Sequence, residues 1–91
     1  MNNKLPVIRT LETTLTAVNE WSYIDYPDGF NKDNTIVISA MIKSYGVWVG
    51  VVHNANGVLE TMLRTNGVAM ETQHSAYLNT PCKITIMRYE E

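Results

Sequence analysis

Few side chains in this sequence carry reactive chemistry: one cysteine, Cys82, two histidines, His53 and His74, and a loose acidic run, Asp25, Asp28 and Asp33. A nucleophilic site needs a Ser or Cys within hydrogen-bond reach of a base that a third group orients. Cys82 falls at the inward phase of an alternating stretch, with Ile84 and Ile86 against Lys83, Thr85 and Met87, where a thiol behaves as a small inert hydrophobe. His53 reads as a surface partner of Glu60 across a hairpin, and His74 lies in the polar loop Glu71 to Ser75. Two separated histidines and a single cysteine lack the close spacing of a zinc site, so neither a metal nor a cofactor is expected. A small hydrolase would require His53 or His74 to converge with a carboxylate and Cys82. The expectation is a protein that is not an enzyme.

The three aspartates invite a calcium reading, but they lack the dense alternating oxygen ligands and terminal Glu of a helix–loop–helix calcium site. Tyr26-Pro27-Asp28-Gly29 reads first as a turn, because proline presets φ and Asp-Gly supplies flexibility and a local hydrogen bond. Asn31, Asp33 and Asn34 extend it. What remains is aromatic. Tyr23, Tyr26, Tyr45 and Tyr77 are the expected ligand-binding residues, since their rings can stack on sugars while neighbouring Asn and Asp groups bond hydroxyls. The plainer alternative for any one of them is to fill an edge of the sandwich.

The elements that must position these residues belong to a chain of 91 residues, short enough for one domain over 1–91. A domain this small buries only about 60–65% of its unfolded surface, so self-association is a natural supplement to its core. The net charge of −2, with basic residues scattered from Lys4 to Arg88, offers no footprint for a nucleic-acid backbone. The longest apolar run, Val47 to Val52, is interrupted by Gly50 and falls far short of a membrane span. The N-terminal residues lack the apolar centre of a secretion signal, which predicts a protein that is made in the cytoplasm and stays soluble. The lone cysteine excludes an internal disulfide.

Many Val, Ile, Thr and Tyr residues, short apolar stretches and frequent turn signals predict strands throughout. Leu11 to Trp21 has helical spacing at Leu11, Leu15 and Val18, but its threonines favour an extended chain. Ile36, Ile38, Ala40 and Ile42 alternate with Thr35, Val37, Ser39 and Met41, as Cys82 to Tyr89 also alternates. About seven or eight strands result, which suits a small antiparallel β-sandwich. The pairs Asn56-Gly57 and Asn66-Gly67 predict hairpin turns and a three-strand meander over 45–73. In that register Leu63 faces Met70, and Trp48 and Leu63 belong to the core. The opposite face carries Val49, Val51, Met62 and Ala69. It lies either under a second sheet or loop, or at a subunit interface of a homo-oligomer, with Val49, Val51 and Met62 as the contact residues.

The segment Trp21 to Lys43, with its Tyr-Pro-Asp-Gly-Phe turn, Asn-Thr strand start and Ile-Val-Ile-Ser strand, and the segment Tyr77 to Arg88, with Pro-Cys-Lys-Ile, resemble small proteins encoded in tail regions of phages and prophages of Gram-positive bacteria. The resemblance spans about Trp21 to Tyr89. It implies a tail, baseplate or tail-fibre-associated β-domain, trimeric in the favoured case. Such a domain would meet other tail proteins or host cell-wall glycan, would reside in the virion, and would serve assembly or attachment. It transfers no catalytic residue. Fibre proteins usually carry repetitive stalks, and this chain has none.

Overall fold

The computed structural model describes residues 5–51 and 57–90. Seven strands follow in order: β1 (Pro6–Thr14), β2 (Ser22–Ile24), β3 (Ile36–Ser44), β4 (Val47–Val51), β5 (Glu60–Arg64), β6 (Gly67–Glu71) and β7 (Pro81–Tyr89). They form a four-stranded sheet, β1-β7-β3-β4, and a three-stranded sheet, β2-β6-β5, with every pair antiparallel. The fold is therefore all-β and two-layered, as the alternation predicts. Among the described residues the only helix is a 3₁₀ turn, Ser75–Tyr77, and no helix is long and apolar enough to cross a membrane.

The core lies between the sheets. Cys82, Ile84 and Ile86 of β7 and Ala40 and Ile42 of β3 meet Val68 and Met70 of β6, with Leu15, Phe30 and Leu59 closing the ends. Each fully buried Ile, Val, Leu or Met side chain here stabilises by roughly 1.5–3 kcal/mol. Strand β7 is central because both of its edges are paired: Ile84 stands opposite Leu11 on one side and Ala40 on the other.

The meander expected over 45–73 is divided between the sheets. Strand β4 pairs with β3, Lys43 facing Trp48 and Ile42 facing Val49, and has no ladder with β5. Trp48 consequently stands half-buried on the outer face of the four-stranded sheet, outside the core where it was expected. Val49 and Val51 point inward at the sheet edge beside Ile42 and Ala40. Met62 lies on the outer face of the other sheet, opposite Ala69. The expected interface stripe of Val49, Val51 and Met62 is thus not contiguous, because it rested on a β4–β5 pairing that the core does not select.

The β5–β6 hairpin forms, with Leu63 opposite Val68 and Thr61 opposite Met70. Leu63 and Met70 share a face, two residues out of the expected direct opposition. The pair Arg64–Gly67 closes the turn around Thr65 and Asn66, one residue earlier than the Asn-Gly signal places it. Gly67 is needed for another reason: a methyl group there would stand 2.5 Å from the Ile24 carbonyl oxygen, so only glycine lets β2 dock. Of the other expected turn, Asn56 lies outside the described residues, as do Val52 and His53; Gly57, at φ 66°, accepts a hydrogen bond of 2.8 Å from the Gln73 amide.

In β3 the ladder shifts between Val37 and Ser39. This bulge turns Val37 toward the core and leaves Ile36 and Ile38 47% and 50% exposed, out of phase with the buried Ala40 and Ile42. The acidic loop is turn chemistry. The Phe30 amide donates to the Pro27 carbonyl at 3.0 Å with Gly29 at φ 86°, a type II turn one residue later than expected. The Asn31 Oδ1 accepts from the Asp33 and Asn34 amides at 2.8 and 3.0 Å.

Candidate functional site

Strands β3 and β4 are joined by two residues, Tyr45 and Gly46, between the last ladder pair, Ser44 and Val47. Both take positive φ, 50° and 80°, the geometry of a tight hairpin turn whose twist matches the flanking strands. Asn-Gly is the usual occupant. A tyrosine in this left-handed region crowds its Cβ against the backbone at a cost of roughly 1–2 kcal/mol. Its ring recovers none of that by burial, because Tyr45 is fully exposed, at 103% of its reference surface.

Facing this turn is the segment that leads into β7. The Tyr77 and Leu78 amides donate to the His74 and Ser75 carbonyls at 3.1 and 3.2 Å, forming the 3₁₀ turn. Asn79, at φ 60°, donates its amide to the Leu15 carbonyl at 2.8 Å and ties the segment to the chain leaving β1. Tyr77 is half-buried against the core, its ring edge-on to His74 with centroids 6.1 Å apart. Between the projecting Tyr45 and the anchored Tyr77 runs an open groove of about 400 Å³, lined also by Lys43, Ser44, Ala76 and Thr80. A second hollow of about 450 Å³ adjoins it behind Tyr77, bounded by Val58, His74 and Ala76.

The four tyrosines singled out in the sequence therefore separate. Tyr45 and Tyr77 share the groove. Tyr23 is half-exposed on the outer face of the three-stranded sheet, opposite Ala69. Tyr26 lies at the other end of the sandwich, donating its hydroxyl to the Arg64 carbonyl at 2.6 Å; burial, and then the Asp33 carboxylate, push its pKa up. That tyrosine is a strut of the hairpin end. Lys43, Ser44 and Thr80 are groove residues that sequence reasoning missed. Gly46, sitting two residues beyond an alternating strand, was the signal that could have located the turn and hence its neighbours.

Cys82 is 1% exposed and its thiol donates to the Thr13 carbonyl at 3.4 Å. Burial, with a smaller push from the Glu12 carboxylate, raises its pKa to about 11, which keeps the thiol protonated and weakly nucleophilic at neutral pH. Among the described residues no group of three or more His, Cys, Asp or Glu side chains is arranged to hold a metal ion. No protein-family model, no curated protein and no solved structure matches the chain.

Proposed function

We propose that this chain is a non-enzymatic binding module of the phage or prophage tail type that attaches to host-surface glycan through the groove between Tyr45 and Tyr77. The observation that carries the reading is Tyr45, a bulky aromatic held in a strained turn position and wholly exposed. Strain of this kind persists where a side chain must be presented, and an exposed ring serves stacking on the apolar face of a sugar. The Ser44 and Thr80 hydroxyls at the same groove suit sugar hydroxyls. The tail setting rests on the resemblance of Trp21 to Lys43 and Tyr77 to Arg88, which also favours a trimer residing in the virion. A glycan array followed by calorimetric titration tests the reading. Specific saccharide binding that Tyr45→Ala abolishes, with the fold intact, supports it; binding that Tyr45→Ala leaves unchanged sinks it.

A purely structural assembly role is the second reading, and a different surface favours it. Ile8, Met87 and Ile36 stand in direct register across β1, β7 and β3 on the outer face of the four-stranded sheet, Ile8 being 51% and Ile36 47% exposed. Such a row suits a contact with another copy or another tail protein. A homo-oligomer in light scattering that Ile36→Lys dissociates, with no glycan bound, selects this reading over the first.

A further inference from the structure

The groove has a charge as well as a shape. Its six lining residues include Lys43 and no carboxylate, in a chain whose net charge is −2. Beside it on the outer sheet face, Trp48 gathers a second cation: the Lys83 Nζ lies 4.0 Å and the Lys43 Nζ 5.8 Å from the indole centroid. Lys43 and Trp48 are direct ladder partners, and Lys83 reaches the same ring from β7. The electron-rich indole face holds both ammonium groups together, which their mutual repulsion alone would not do. Glu12 stands opposite Lys83 across the β1–β7 ladder, yet among the described residues neither lysine is engaged in an ion pair. Two cations gathered on one ring, with Lys43 at the lip of a groove whose six lining residues carry no carboxylate, form a receptor for negative charge.

Resting on the reading of the groove as a saccharide site, we propose that its ligand is an acidic saccharide, whose carboxylate or phosphate lies against Lys43 while a sugar ring stacks on Tyr45. Trp48 and Lys83 act behind it, fixing the position of the Lys43 ammonium and adding to the local positive potential. A neutral sugar would use the aromatic wall and leave this charge unanswered.

The test is a glycan array of the native chain spanning neutral hexoses, uronate-bearing saccharides and phosphate-bearing saccharides, whose separate arms tell a carboxylate ligand from a phosphate one. Binding is expected in an acidic arm, weakening as sodium chloride is raised, because salt screens exposed charge. Lys43→Gln should weaken it by about tenfold, and Lys43→Arg should retain it, as expected for a charge-assisted contact. Should Lys43→Gln fail to fold, the salt dependence of the native chain decides the question. Neutral saccharides binding as tightly as acidic ones, or acidic binding indifferent to both salt and Lys43→Gln, would overturn this proposal while leaving the groove as a neutral-sugar site. An array without hits, or hits that survive Tyr45→Ala unchanged, would overturn the groove reading and this proposal together.

Discussion

Tyr45 and Gly46 divide one tight turn between them, and the tyrosine occupies its sterically costly half, at φ 50°, with no compensating contact for its ring. Stability and presentation of the ring therefore pull in opposite directions at one residue.

Tyr45→Asn should stabilise the protein by about 1 kcal/mol, since asparagine tolerates the left-handed region that a bulky side chain resists. The same change removes the exposed ring, so saccharide binding should fall as stability rises. Urea unfolding beside calorimetric titration measures both. A loss of stability would mean that the ring makes a folding contact.

Gly67→Ala should have the opposite character. The added methyl would press on the Ile24 carbonyl at 2.5 Å, and a backbone atom cannot swing aside as a side-chain tip can. A cost of about 1–3 kcal/mol is expected, the range of overpacked sites, with the disturbance concentrated in β2. Amide exchange on Ser22 to Ile24 locates it. Unchanged protection there would show that β2 is not held by this approach.

Ile84 and Trp48 should differ sharply under truncation. Ile84 is wholly buried between the sheets, so Ile84→Ala is expected to cost about 2–5 kcal/mol. Trp48 stands half-buried on the outer face, against lysine ammonium groups, and Trp48→Ala should cost less than half as much. The reverse ranking in chemical denaturation would move the core to the Trp48 side of the sheet.

Alkaline pH should weaken the fold through Cys82. Its thiol titrates near 11 in the folded protein against 9.0 for the free group, so between these values the unfolded chain binds fewer protons than the native one. The associated stability is complete below about pH 9 and is lost as pH rises through the folded value. Tyr26, raised by burial and by Asp33, adds a slope of the same sign above its ordinary 10.0. Cys82→Ala should flatten the decline in a pH series of urea midpoints; an identical decline in the variant would assign it to other groups.

The strands of this protein were legible because side-chain direction in a strand is a local property with a period of two. Cys82, Ile84 and Ile86 could be placed inward and Lys83, Thr85 and Met87 outward from their spacing alone, and the structure buries the first three to 1% or less. The β5–β6 hairpin and its inward face were legible for the same reason, since its turn and both strands lie within a dozen residues, but its register was not, because the turn closes one residue before the Asn-Gly pair. The bulge at Val37 to Ser39 was not, because nothing local marks the residue that the ladder skips.

What the amino-acid order alone determined is thus the all-β class and the inward and outward phase of β5, β6 and β7. Which sheet receives β4 was decided by tertiary structure. The chain could continue from β4 to β5 as a meander or return β4 onto β3, and both leave a self-consistent apolar face. The choice falls to β7, which pairs with β1 and β3 across most of the length of the chain and sets where the four-stranded sheet can grow. The groove follows from that choice. Tyr45 and Tyr77 line one groove only because the β3–β4 turn and the start of β7 lie at the same end of one sheet, and a groove shared by residues so far apart in the chain is settled by packing of the whole.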